Sequence, residues 1–408
     1  MKNQEFILFG VHDDYYYSRL QNVMNKARLD NLNIKGIITN ISTQKKAKKE
    51  GLDFFSFGDF FENNQKLKDF KKELMKKEKI FNKYFQKKGL NYGGQNVFPA
   101  FQEYFNYLFK IRFLWLAYYV NSYDNLFKKN KIKAVVVMDD LIPVNRALIL
   151  IAKKYNIPSI VVPHGVFIDT AGKGFIPLTA DKMAVWGKII KNQMINFGVN
   201  SKKLIITGAS IFDDIVQKQK NNKNQFKENK KKKFSLMLGI QKYDDVFADK
   251  ETEKIIKIAI ESVQEFKDVE LKISLHPRLS SNIIKSILKE KKGNICIEKG
   301  KIEDLIKECD GLITLYSTIA FDAMFENKPI ISLNPLNMPE IIPYVKSGVA
   351  LKARNKKELI NAIKKIRSEK FLNEWVKNKE KFLKNYLFKL DGKSSERVLN
   401  AIKEIMLK

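Results

Sequence analysis

Five short stretches place chemically able side chains where an apolar run ends. They are Gly10-Val11-His12-Asp13, Asp139-Asp140, Pro163-His164-Gly165, His276-Pro277-Arg278 and Tyr316-Ser317-Thr318. The chain has 3 histidines in 408 residues, and every one falls in these stretches. A neutral imidazole takes a proton near physiological pH, and either ring nitrogen can bond an oxygen. An arginine fork matches phosphate oxygens. Hydroxyls at a strand-to-helix junction, with the free amides of the first helical turn, gather an anion. The set suits proton removal from one group and charge stabilisation on a phosphate.

Within it, His164 is a candidate base or a donor to sugar or phosphate, and Gly165 allows a tight turn or a close backbone approach. Capping of a turn is the plain alternative for His164. Pro277 holds His276 toward an extended backbone, with Arg278 beside it, so both can face a phosphate. Ser317 and Thr318 can hold phosphate or simply cap the following helix. Asp322, four residues past Thr318, shares its helical face and can accept from ribose hydroxyls, or it can be an ordinary first-turn acid. Asp13 is a second candidate base, with His12 beside it as an alternative. Asp139 and Asp140 can act as base, bind acceptor hydroxyls, or cap.

Those stretches need strands that end together. EFILFG, IKGIITN, IKAVVVMDD, IPSIVV and KLIITGAS read as buried strands joined by helical stretches. FSLMLG, LKISLHP, NICIE, GLITLYS and PIISL repeat the pattern later. Such runs signal parallel sheets covered on both faces. In an open parallel sheet the site lies beyond the carboxyl ends of the strands. The predicted organisation is α/β, with a first domain at 1–215 holding a helical insertion at about 45–130. A lysine-rich linker follows at 216–233, then a donor-side domain at 234–370 and C-terminal helices at 371–408 packed back on the first domain. The aromatic stripe of the insertion reads as helix packing.

Hydrophobic residues make up 44 % of the chain and aromatic ones 12 %, enough for two ordinary cores. Two cysteines give no disulfide framework. No secretory signal and no membrane-spanning run is read, so the expected place is the cytoplasm, at the inner face of the cell membrane. The net charge of +30 reads first as a lysine-rich compositional background, and next as a fit to an anionic leaflet or a polyanionic substrate. Nucleic acid is disfavoured as a partner because no recognition module accompanies the lysines. There is no HExxH, no GxxxxGK[ST], no cysteine pair at metal spacing and no GxSxG elbow, and no metal site is expected.

The order of these pieces resembles the two-domain GT-B glycosyltransferases, with two Rossmann-like parallel-sheet domains facing a cleft. More narrowly it resembles bacterial surface-polymer enzymes: teichoic-acid glycerophosphotransferases, polysialyltransferases and capsule transferases that use CMP-Kdo. Pro163-His164-Gly165 looks like their His-Gly element, His276-Pro277-Arg278 like their donor-phosphate element, and Tyr316 to Leu333 like their Ser-Ser/Thr element with Asp322 as its acid. Asp181 to Asp213 also resembles the same segment of UDP-GlcNAc 2-epimerases. Pro163 replaces the tryptophan usual in the teichoic-acid enzymes, and Asp139-Asp140 lacks the glycine of the polysialyltransferase motif.

The resemblance implies a metal-independent glycosyltransferase using a nucleotide-sugar, CMP-linked ahead of UDP-linked, as co-substrate, with no tightly bound cofactor. The acceptor would be a hydroxyl of a surface glycan or a lipid-linked chain. His164 or Asp13 would be the base. His276, Arg278, Ser317, Thr318 and Asp322 would bind the donor, His276 also stabilising the leaving phosphate. The rivals are a sugar-nucleotide epimerase, a glycerophosphotransferase and a non-enzymatic nucleic-acid-binding protein.

Overall fold

The computed structural model describes residues 4–165, 176–221, 233–240, 249–274, 293–298, 300, 302–315, 317–340 and 342–407. Its chain begins with strand β1 (Phe6–Gly10), helix α1 (Asp14–Leu29), β2 (Ile34–Ile38), α2 (Ile41–Lys49) and β3 (Phe54–Ser56). A helical addition follows: α3 (Gln65–Lys88), a hairpin of β4 (Asn91–Tyr92) and β5 (Gln95–Asn96), α4 (Phe98–Tyr107), a π-turn at Leu108–Arg112 and α5 (Phe113–Lys129). The α/β pattern resumes with β6 (Ile132–Val137), α6 (Pro143–Lys154), β7 (Ser159–Val161), β8 (Lys182–Val185), α7 (Lys188–Asn196), β9 (Leu204–Ile206) and α8 (Asp213–Asn221).

Among the described residues the first sheet has seven strands in the order β3-β2-β1-β6-β7-β8-β9. All its pairs are parallel. The order reverses between β1 and β6, which opens a crevice beyond their carboxyl ends. The strands are Val- and Ile-rich because both faces are covered, and β1 is buried at every residue.

The second sheet restarts the scheme with β10 (Phe234–Gly239), α9 (Asp249–Val263), β11 (Val269–Ser274), β12 (Ile295–Glu298), α10 (Ile302–Lys307) and β13 (Gly311–Thr314). It continues through α11 (Ile319–Phe325), β14 (Ile330–Leu333), β15 (Ala350–Ala353) and α12 (Lys356–Ile366). Its order is β12-β11-β10-β13-β14-β15, again parallel, with the reversal between β10 and β13.

Two last helices, α13 (Glu369–Leu387) and α14 (Ser394–Met406), tie the halves together. Val398, Leu399, Ile402 and Ile405 of α14 share a core with Phe9, Val11, Leu20 and Val136 of the first domain. The Asp213 carboxylate accepts from Ser394 N (2.9 Å) and Ser395 N (2.6 Å), capping α14 from a distant part of the chain. Lys403 pairs with Asp30 at 2.8 Å. An aromatic chain links the sheets: Trp186 lies 5.7 Å from Phe212 and 5.9 Å from Phe321, and Phe321 lies 5.8 Å from Phe382.

Some boundaries differ from the sequence reading. β3 falls inside the expected insertion yet extends the main sheet, so the helical addition starts at Gln65. The last turns of α5, Ser122 to Phe127, are core. α8 runs into the expected linker as far as Asn221, because Ile215 and Val216 give it an apolar face beside the aromatic chain. Residues 222–232 of that linker lie outside the described residues.

Candidate active site

The mouth of the first sheet is built on Gly10. A Cβ there would come within 3.1 Å of the Val137 side chain, 3.3 Å of Asn145 Oδ1 and 3.4 Å of His12 Nε2. The missing side chain makes room for a buried bond, His12 Nε2 to Asn145 Oδ1, at 2.7 Å. Asn145 can only accept through that oxygen, so Nε2 carries the proton and Nδ1 is the lone-pair nitrogen. Burial pulls the His12 pKa below its ordinary value, so the ring is neutral. His12 is therefore a fixed joint of the crevice floor, with its carbonyl also accepting from Thr39 and Asn40.

Asp13 is held as the N-cap of α1. Its Oδ1 accepts from Tyr15 N at 2.9 Å and Tyr16 N at 3.0 Å. Asp139 Oδ1 accepts from the amides of Leu141 and Ile142, both at 3.0 Å. Its Oδ2 accepts from the Tyr16 hydroxyl at 2.7 Å, and burial, followed by the charge and the bond of Asp139, pushes the phenol well above its usual range. Asp140 is wholly buried, bonded by Arg146 Nε at 3.0 Å, by Ala180 N at 3.1 Å and by Thr179. Asp140 pins a loop and is closed to substrate. Among the alternatives for the two acids, capping and anchoring are what the geometry shows.

His164 shares an unpartnered buried Nδ1 with His12 and is the more exposed of the two. It follows β7, and its neighbour Pro163 is fixed because its carbonyl accepts from Trp186 Nε1 at 3.2 Å. The Tyr15 ring meets the imidazole edge-on at 5.2 Å. Burial first, then the Arg19 guanidinium, lower the His164 pKa to about 4. Its Nδ1 is buried and has no partner among the described residues. A buried ring nitrogen without a partner is costly and suits a site that receives a ligand.

Gly165 brings this corner to the second domain. A Cβ on Gly165 would lie 3.7 Å from the Thr318 methyl. Ser317 Oγ accepts from Ile319 N at 3.3 Å, and the Ser317 carbonyl accepts from the Tyr344 hydroxyl at 2.8 Å. Thr318 makes no capping bond to α11 through its side chain. The expectation that both hydroxyls cap the helix thus holds for Ser317 alone. Asp322 sits half-buried in the first turn of α11. Small recesses open at the second switch point, lined by Gly239, Thr252 and Thr314, and beyond β14, lined by Asn334, Glu340 and Lys352. Among the described residues no group of three or more His, Cys, Asp or Glu could hold a metal ion. His276 and Arg278 lie outside the described residues.

So the structure brings His164, Gly165 and Thr318 together across the cleft and places His12, Asp13 and Asp139 around Tyr16. Tyr15, Tyr16, Arg19 and Asn145 were missed as parts of this corner. The signal was the run Asp13 to Arg19, which opens a helix directly behind a strand end and so must line the same mouth.

A family model described as CDP-Glycerol:Poly(glycerophosphate) glycerophosphotransferase matches residues 188–404. That is more than half of the chain. The chain belongs to this family. Membership in the glycerophosphotransferase family rests on α7, the second sheet and both terminal helices. The corner with His12, Asp139 and His164 precedes the matched span. No curated protein matches the sequence.

Solved structures extend the likeness in fold to nearly the whole chain. UDP-GlcNAc 2-epimerase from Methanocaldococcus jannaschii superposes with a TM-score of 0.63 at 17 % identity, over 98 % of this chain and 99 % of that one. The Neisseria meningitidis UDP-GlcNAc 2-epimerase bound to UDP-GlcNAc gives 0.61 at 13 %, covering 98 % and 99 %. A glycosyltransferase from Rickettsia africae gives 0.58 at 12 %, covering 100 % and 99 %. The architecture of this family member is GT-B: two parallel-sheet α/β domains.

Proposed function

We propose that the protein is a transferase that moves a sugar from a CMP- or UDP-linked donor to a hydroxyl of a surface glycan or lipid-linked acceptor. The observation that carries this reading is His164: a neutral, half-buried imidazole whose buried Nδ1 has no partner among the described residues, on the loop that meets Thr318. The donor sits on the second domain, with its phosphates toward Ser317, Thr318, His276 and Arg278 and its ribose toward Asp322. His164 takes the acceptor proton as the nucleotide leaves. Cationic and hydroxyl groups, rather than a resident metal, neutralise the leaving phosphate. Asp13 is the weaker base, since one of its oxygens already holds two helix amides. Catalysis in the cytoplasm against lipid-linked chains puts the enzyme in contact with an anionic inner leaflet.

Glycerophosphate transfer from CDP-glycerol is the second reading, favoured by the family match. It uses the same base and the same leaving nucleotide, with phosphorus as the centre attacked. A thermal-shift screen with CMP, CDP, UDP and GDP, followed by turnover with the matching sugar donors and with CDP-glycerol, tests both. Stabilisation by a cytidine or uridine nucleotide and turnover of its sugar donor supports the first. Turnover of CDP-glycerol alone selects the second. Absence of stabilisation by all four nucleotides overturns both.

A further inference from the structure

Tyr344 lies on the segment between β14 and β15, a stretch to which the sequence pattern gives no role, and it is 1 % exposed. A buried phenol needs a partner for its hydroxyl. Here the hydroxyl donates to the Ser317 carbonyl at 2.8 Å. That carbonyl also accepts from Ala320 N at 3.2 Å, so two hydrogen bonds hold it.

A held carbonyl fixes more than itself. The peptide between Ser317 and Thr318 is planar and trans, so its N–H points opposite to its C=O. The Tyr344 side of that peptide is core: the ring lies 6.1 Å from Phe321 of α11 and 5.6 Å from Phe382 of α13. The opposite side carries Thr318 N, which donates to no backbone carbonyl among the described residues. Thr318 is half-buried, and a Cβ on Gly165 would reach its methyl at 3.7 Å. The Thr318 amide is thus turned away from the core, at the place where the two domains meet.

Tyr344 is itself held. Its carbonyl accepts from Val349 N at 2.9 Å and Ala350 N at 3.1 Å, and its N–H donates to the Ile342 carbonyl at 2.7 Å. Gly348 closes this turn at a φ of +70°, and a Cβ there would meet Asn378 Nδ2 of α13 at 2.6 Å. Trp375 Nε1, from the same helix, donates to the Val349 carbonyl at 2.8 Å. So α13 clamps the segment, the segment fixes Tyr344, and Tyr344 fixes the Ser317–Thr318 peptide.

We propose that Tyr344 is a positioning residue for the transfer reaction: by pinning the Ser317 carbonyl it aims the Thr318 amide at the leaving phosphate. The proposal rests on the functional reading above, which puts that phosphate against Ser317 and Thr318. An amide fixed before the reaction stabilises developing charge without reorganising. A peptide free to rotate would turn its carbonyl, with partial negative charge, toward the phosphate in part of the population. Plain core packing is the other account of Tyr344, and it entails a loss of stability alone.

Tyr344→Phe keeps the ring and removes the bond. Trp375→Phe is the control, because it also deletes one buried bond on the same segment without touching Ser317. Both should melt at a lower temperature than the wild type. Turnover with acceptor is scored per folded molecule. Tyr344→Phe is expected to lower kcat roughly tenfold or more, and Trp375→Phe to leave it at the wild-type value. Deuterium exchange of the fragment 317–325, with and without the stabilising nucleotide, reads the peptide directly. Nucleotide should protect that fragment in the wild type and in Trp375→Phe, and protect it less in Tyr344→Phe. A kcat in Tyr344→Phe equal to that of the wild type, or a kcat equally reduced in both variants, overturns the proposal. A wild type that turns over no donor overturns the functional reading instead. Protection that Tyr344→Phe loses and Trp375→Phe keeps then leaves the positioning of the peptide standing, whereas equal protection in all three overturns it as well. No nucleotide protection in the wild type overturns both.

Discussion

A general base must be unprotonated before reaction and able to hold a proton during it. Burial and Arg19 meet the first demand at His164, setting its pKa to about 4. An anionic donor beside the ring meets the second, because negative charge raises an imidazole pKa. The same shift has a signature in stability. Above about pH 6.5, the ordinary value, the ring is neutral folded or unfolded and contributes nothing. As pH falls toward 4, the unfolded chain binds a proton that the folded site refuses, so stability drops, by on the order of 3 kcal/mol. His12, also lowered, adds to the drop in the same direction. His164→Gln should flatten the acid limb of a melting-temperature profile between pH 6.5 and 4. An unchanged limb would place the imidazole in water rather than in the protein. Tyr16→Phe leaves Asp139 Oδ2 without its 2.7 Å donor, and urea denaturation should show a loss of about 1 kcal/mol. The histidines were legible because they are rare and stand at strand ends. Arg19 and Asn145 were not, because each sits on a helix and reaches the mouth only through the sheet's geometry.

At the scale of elements, the long buried strands β1, β6, β10 and β11 announce themselves as apolar runs. Two short strands do not: β8 and β15 are four residues each, and β15 carries an exposed lysine mid-strand. β3 was hidden by the charged helices around it. The dock of α14 was expected from the helical C-terminus, but its fastening was not, since nothing local ties Asp213 to Ser394. That fastening predicts a specific weakness. Asp213→Ala removes the acceptor for two first-turn amides and should cost about 1–2 kcal/mol in chemical denaturation. It should also speed proteolysis near residues 388–393, where Phe388 and Gly392 hold positive φ. Unchanged stability and cleavage would show that the apolar face of α14 holds it unaided.

Across the whole molecule, two parallel sheets each present a switch-point mouth, and the Gly165–Thr318 approach brings the two mouths into one cleft. The fold is shared by epimerases and glycosyltransferases, so fold alone leaves the reaction open. The reactions differ in one requirement: transfer needs a second substrate, and epimerisation does not. The most direct measurement is nucleotide release from the stabilising donor, with and without acceptor, by the wild type and by His164→Ala. The account predicts release only when acceptor is present, and a fall of about 10²-fold or more in the variant at unchanged nucleotide affinity. Conversion of the donor without acceptor, or a variant as fast as the wild type, would contradict it.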